Sequence, residues 1–176
     1  RHGHVAEVIV QNFLPKPGTA MAKHPACDVE EHRWAIAAAR LLLPPEVHVQ
    51  APPNLADEVS TLIDAGVDDL GGVSPLTADH VNPERAWPAL DLLAEEVATC
   101  GFELVPRMAI YPEQAARPER WLDRAMASKV LAAADADYLA RDSRWCPGEE
   151  VAVPQLLERR PGAYPSAGSE ALEVLA

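Results

Sequence analysis

The chain has 176 residues, 48% of them hydrophobic, which suffices for one ordinary domain with a core of its own. A formal net charge of -12 argues against nucleic acid, because a phosphate backbone needs a basic face. No apolar run approaches the roughly 18 residues that span a bilayer, so a membrane is not an expected partner either.

The chain opens on Arg1-His2-Gly3-His4, which reads as the tail of a helix. His2 and His4 have no third ligand nearby, so no metal site is expected there. Val5, Val8, Ile9 and Val10 make residues 5–12 a β-branched strand ending in Gln11 and Asn12. Residues 14–26 form a loop that is long for its place, as binding loops are. Asp28 caps the next helix, and Glu31 three residues on gives a capping-box spacing. That helix offers Trp34, Ile36, Ala37, Leu41 and Leu42 for burial, and Pro44-Pro45 stop it.

Residues 47–50 are a second short strand, halted at Pro52-Pro53 with Gln50 and Asn54 at its end. His48 points away from Val47 and Val49 and reads as a satisfied core histidine, whereas His24, His32 and His80 are expected on the surface. Asn54 or Asp57 starts a helix that ends at Gly66. Residues 68–75 are a third strand, whose Gly71 and Gly72 allow close approach to the backbone. After an irregular stretch, Pro88 opens a helix over 89–99 with Leu90, Leu93 and Val97 on one face. Residues 102–110 are the fourth strand. Pro106 inside it predicts an edge strand or a bulge. Residues 121–141 are alanine-rich and helical. Residues 142–168 carry Pro147, Pro154, Pro161 and Pro165 and read as a tail or linker. Residues 169–176 have a helical pattern without a stop. That pattern, and Arg1 in place of a methionine, lead to the expectation of a piece of a longer chain.

Strands alternating with helices define an α/β fold, the C-terminal portion (about four βα units) of a TIM-type (β/α) barrel, over residues 1–141. Residues 142–176 follow as an irregular tail or linker to a further module. Such barrels place their chemistry at the carboxyl ends of their strands. The amides Gln11, Asn12, Gln50 and Asn54 stand at those ends and suit a neutral polar ligand such as a pyrimidine ring or a polyol. Capping and turn formation are the plainer roles for Asn54 and Asn12. Asp68 and Asp69 point to opposite faces, so at most one reaches the barrel interior. Arg107 in an apolar strand needs an anion, either a ligand carboxylate or Glu103 or Glu113. Tyr111 and Glu113 at a strand end can exchange protons. Cys27, Cys100 and Cys146 show no C-x-x-C spacing and are expected as reduced thiols in the cytoplasm.

Four segments carry a resemblance. They are residues 8–19 (VIVQNFLPKPGT), 50–55 (QAPPNL), 68–75 (DDLGGVSP) and 82–84 (NPE). In matching order, over roughly residues 1–145, they resemble the deazaflavin-forming radical S-adenosylmethionine enzymes, and more narrowly the FO synthase module. The resemblance implies a radical SAM barrel with a [4Fe-4S] cluster held by C-x3-C-x2-C and S-adenosylmethionine on its open iron. It implies abstraction of hydrogen from an adduct of a tyrosine-derived hydroxybenzyl group with 5-amino-6-ribitylaminouracil. Ring closure then releases ammonia and gives the chromophore of the F-420 coenzyme. The tail is compatible with the linker to a covalently fused neighbour module. Gln11, Asn12, Gln50, Asn54, Ser74 and Arg107 are the expected contacts to S-adenosylmethionine or substrate, on strand-end position.

The C-x3-C-x2-C motif is absent from the 176 residues. The chain alone is therefore expected to hold no cluster and perform no turnover. Two other readings stand beside this one: a non-catalytic half-barrel binding a small ligand or a partner, and a metal-independent lyase using Arg107 and Tyr111. An open half-barrel also predicts self-association.

Overall fold

The computed structural model describes residues 4–74 and 76–141 and the backbone of 171–175. Its centre is a five-stranded, wholly parallel sheet in the order β1-β2-β3-β5-β4. The strands are β1 (Glu7–Ile9), β2 (His48–Gln50), β3 (Asp69–Gly72), β4 (Glu103–Arg107) and β5 (Ala171–Leu175). The principal helices are α1 (Val29–Leu42), α2 (Val59–Ala65) and α3 (Leu90–Thr99), and short α4 (Pro112–Ala115), α5 (Pro118–Trp121) and α6 (Arg124–Ala133) follow β4.

Helices α1 to α3 cover one face of this sheet. Ile36, Val49, Leu62, Leu70, Leu93 and Val97 are buried between the layers. Each such side chain contributes about 1.5–3 kcal/mol by leaving water. Alternation along the strands follows directly: Val49 and Leu70 face the helices, so His48, Gln50 and Asp69 face the other way. The second face of the sheet is thus polar at these positions.

Each helix starts and stops for a local reason. The Asp28 carboxylate accepts from the amides of Glu30 and Glu31, as its position before α1 requires. Neither Asn54 nor Asp57 caps α2. Instead Pro53–Leu55 form one 3-10 turn, and α2 begins after Glu58. Its first amides, of Val59 and Ser60, donate to Glu96 Oε1 at 2.6 and 3.1 Å. A carboxylate on α3 thus caps a helix 36 residues away in sequence. Glu96→Ala is expected to cost about 1 kcal/mol, read as a lower urea midpoint, with Glu96→Gln losing less.

Three expectations about packing are corrected. Trp34, Leu41 and Leu42 are 72%, 85% and 85% exposed; α1 buries Ile36 as expected and, in place of those three, His32. His32 is drawn inward because its Nε2 meets the Val10 carbonyl at 2.9 Å, tying α1 to the end of β1. Pro88 precedes α3 rather than occupying its first turn, since Ala89 is the cap residue.

The C-terminal strand departs furthest from expectation. Residues 171–175 form β5 where a helical pattern was read, and β5 lies between β3 and β4 rather than continuing the sheet beyond β4. That leaves β4 at the edge, which suits Pro106. The Pro106 carbonyl accepts from Ala140 N on the outer side, and in an extended strand the N–H of a residue points the same way as its carbonyl. The donor that proline lacks is therefore one the sheet does not use. Residues 142–170, expected as tail or linker, lie outside the described residues. Among the described residues no helix is long and apolar enough to cross a membrane.

Candidate functional site

The polar sheet face is organised by one buried ion pair. Arg107, at the end of β4, sends Nε to Asp69 Oδ2 at 2.6 Å, and both side chains are all but inaccessible, at 2% and 0%. The rest of the guanidinium is held by the Met108 carbonyl at 2.8 Å and the Tyr111 hydroxyl at 3.2 Å. Glu7 stands 3.7 Å away. Burial by itself would lower the Arg107 guanidinium. The hydrogen bond and charge of Asp69, with Tyr111 and Glu7 behind them, outweigh it and hold the group above its usual value. The anion that Arg107 needed is therefore Asp69, neither Glu103 nor Glu113.

Tyr111 is the second member. Its hydroxyl lies 2.6 Å from both Asp69 Oδ2 and Glu7 Oε2. Burial, then those two hydrogen bonds, push the phenol far above its ordinary value, so it stays a neutral donor. One ring face stacks on His48 at 4.0 Å and 3°, and the Arg107 guanidinium sits 4.1 Å from the ring centroid. His48 Nδ1 meets Asp68 Oδ2 at 3.2 Å, and Nε2 lies 3.7 Å from Glu113 Oε2. His48 thus lies on the polar face, held through Nδ1 and its stacked ring rather than among apolar side chains. Asp69 enters this cluster from β3, and Asp68, just before that strand, accepts from Val49 N at 2.6 Å besides meeting His48, so both carboxylates reach the cluster.

A second layer lies at the strand ends. Asn54 is buried; its Nδ2 donates to Asp79 Oδ2 at 3.0 Å and reaches the Arg85 carbonyl at 3.4 Å, and Oδ1 has no protein partner. Asn12 Nδ2 donates to the Leu55 carbonyl at 2.9 Å, and its Oδ1 too is buried without one. In both amides the nitrogen is fixed by acceptors, so the open atom is the carbonyl oxygen. Asp79 also accepts from Asn82 Nδ2 and from the amides of Val81 and Asn82. The Asn82 side chain, with Asn54 and those amides, holds the Asp79 carboxyl down at about 2 against the opposing effect of burial. Its contribution to this loop is therefore complete above pH about 4 and fades as the pH falls toward about 2. After correction for intrinsic rates, exchange protection of Val81 and Asn82 is expected to disappear over that window, and to show no such step in Asp79→Asn. A Lys16–Glu84 ion pair ties the β1–α1 loop to the same segment and lowers the Glu84 carboxyl.

The six expected contact residues thus separate. Asn12, bonded to the Leu55 carbonyl, and Asn54, bonded to Asp79, each keep an open acceptor. Gln50 lies on the polar face against Gly71, where a Cβ would collide with its amide. Arg107 is committed to the buried network. The Ser74 hydroxyl accepts from Leu76 N, Thr77 N and Thr77 Oγ1, which folds its own loop. Gln11 is exposed apart from the others. Sequence reasoning gave no site role to Glu7 or Asp79, and it named Asn82 only as part of the 82–84 segment of the resemblance; for Glu7 the usable signal was a carboxylate at the start of an otherwise apolar strand.

A parallel sheet with helices on one face, polar side chains on the other and amides at the strand ends is an α/β layer architecture. No family model matches the chain, and no solved structure does. Curated proteins do. The chain is 51% identical over 143 residues to FO synthase of Mycobacterium tuberculosis (strain ATCC 25618 / H37Rv), and 48% identical over 162 residues to FO synthase of Streptomyces avermitilis. It is 56% identical over 113 residues to the 7,8-didemethyl-8-hydroxy-5-deazariboflavin synthase of Methanoculleus marisnigri. These alignments take in 80%, 88% and 64% of the chain, and 17%, 19% and 33% of the three relatives. Over most of its length the chain is a homologue of FO synthase, and it spans about a sixth of the first two relatives and a third of the last.

Proposed function

We propose that the chain supplies one wall of the pocket in which an FO-forming enzyme closes the deazaflavin ring, in the pathway to coenzyme F-420. The reading rests on one observation: about half the residues match enzymes named for making this product, over 143 residues of a 176-residue chain. The substrate in this reading is the hydroxybenzyl adduct of 5-amino-6-ribitylaminouracil. It carries a polyol and ring N–H groups, and these are the donors that Asn12 and Asn54 leave room for. Gln50 adds an amide on the sheet face. Arg107, with no spare donor aimed outward, acts as a post that fixes Asp69 and Tyr111. Gln11 and Ser74 shape the loops around them.

The radical S-adenosylmethionine chemistry would come with an iron–sulfur cluster, and the described residues do not fit one. No group of three His, Cys, Asp or Glu side chains among them is arranged to hold a metal. Cys27 follows the β1–α1 loop and Cys100 closes α3, each as a free thiol, and Cys146 lies outside the described residues. Cluster binding is accordingly assigned to none of the described residues. What the chain's own groups do is orient a polar substrate and exclude water from it.

A segment exchange tests the proposal. The matching stretch of Mycobacterium tuberculosis FO synthase is replaced by this chain's residues, and FO is measured by fluorescence beside the cluster's absorbance. FO formation is expected, and it should fall about tenfold or more when Asn54 is changed to Leu in the exchanged segment. A soluble exchange protein with an intact cluster and no FO would sink the reading.

A further inference from the structure

Beside the strand ends lies a cavity of about 330 Å3, between the β1–α1 loop, the start of α1 and the segment leading into α2. Its apolar lining comes from Leu14, Leu55 and Leu62. Two hydrogen-bonding atoms of residues that line it are buried without a partner, Asn12 Oδ1 and Arg33 Nε. They are of opposite kind. Asn12 offers only an acceptor, because its nitrogen is spent on the Leu55 carbonyl. Arg33 offers only a donor, and its Nη1 is already on Glu30 at 2.8 Å. Arg85 and Asp57 also line the cavity and lie 3.5 Å from each other.

We infer that this cavity is a binding site for a small hydroxy- or amino-carboxylate with a short apolar chain. The carboxylate answers Arg33 through a charge-assisted bond, and the hydroxyl or amino group donates to Asn12. The apolar chain rests on Leu14, Leu55 and Leu62. A phosphate or a dicarboxylate fits less well: either would add negative charge beside Asp57 and Glu58, which share the lining. A purely apolar ligand would leave both polar atoms unmet. This inference shares Asn12 Oδ1 with the deazaflavin reading, but its test needs no turnover, so loss of Cys27 protection and loss of FO formation are separate outcomes.

Cys27 lines the same cavity and supplies the readout, with Cys100 on α3 as an internal control. The 176-residue chain is alkylated with iodoacetamide and each cysteine followed by peptide mass mapping. L-leucine and 2-hydroxy-4-methylpentanoate are the probes. Leucinol lacks the carboxylate, and 4-methylpentanoate lacks the donor. The first two are expected to slow Cys27 saturably and leave Cys100 unchanged. Leucinol and 4-methylpentanoate should each need about tenfold higher concentration, the loss of one charge-assisted or buried hydrogen bond. Arg33→Leu should erase the advantage of leucine over leucinol. If no probe protects Cys27, the cavity holds water only and the inference fails. It fails equally if leucine and leucinol protect alike. The probe series on the unaltered chain decides the matter without the Arg33 variant.

Discussion

Asp69→Ala is expected to destabilise the chain by about 3–5 kcal/mol, the range for removing one partner of a buried ion pair. Domains of this kind have roughly 5–15 kcal/mol in total. The physical reason is asymmetry. The carboxylate is fully buried and bonded to both Arg107 and Tyr111. Without it, the guanidinium keeps the Met108 carbonyl, the Tyr111 hydroxyl and the longer contact to Glu7, and these do not replace a charge at 2.6 Å. The double change Asp69→Leu/Arg107→Met removes both charges and should recover most of the loss, because the pair offsets its own desolvation rather than adding much beyond it. Urea midpoints of Asp69→Leu, Arg107→Met and the double form the cycle. Singles that cost under about 1 kcal/mol would mean that water reaches the pair and that the sheet face is open.

Much of this arrangement was legible in the residues, and the limits have physical causes. Four strands follow from short apolar, β-branched runs ending in proline, glycine or amide, and all four form. The expected edge position of β4 came from Pro106 alone, and the direction of its carbonyl shows why that sufficed. The need of Arg107 for an anion was equally clear, since a lone charge cannot be buried. Which anion was not, because Asp69 lies 38 residues away on a strand that meets it only in the folded sheet. Local pattern carries alternation along a strand, but it does not carry register across strands.

The misses have the same origin. Trp34, Leu41 and Leu42 read as a core stripe because α1 has apolar residues on more than one side, and only the sheet's position selects Ile36 and His32. Residues 171–175 are Ala, Leu, Glu, Val and Leu, strong helix formers in the main. Leu172 and Val174 also alternate with Glu173, and pairing with β3 and β4 decides in favour of the strand. For the site, strand-end position marked Asn12 and Asn54 as pocket contacts, and the structure shows each with a carbonyl oxygen that has no protein partner. Position could not show that Ser74 folds its own loop or that Arg107 is consumed by its neighbours. Asp79 and Asn82 sit in a stretch with no periodicity at all, and their role appears only when Asn54 closes on them.

Gly71→Ala is the sharpest probe of whether Gln50 belongs to the site. Gly71 has φ +72°, where an L side chain costs about 1–2 kcal/mol. A Cβ there also runs into the Gln50 amide, whose carbon Cδ would lie 2.8 Å away. That second effect is the informative one. The Gln50 side chain is flexible and can swing aside, so the collision displaces the amide from the polar face more than it disrupts the strand. The expected total is about 2–3 kcal/mol in thermal or urea unfolding, the strain plus a modest overpacking cost. Gln50→Ser removes the collision and leaves the strain. The cost of Gly71→Ala should then fall to about 1–2 kcal/mol in the Gln50→Ser background, a coupling within the range seen for residues in contact. In the segment-exchange enzyme, both single changes should lower FO output, because each takes the amide off the face. Equal output from Gly71→Ala and the unaltered segment would remove Gln50 from the pocket and leave Asn12 and Asn54 as its amides.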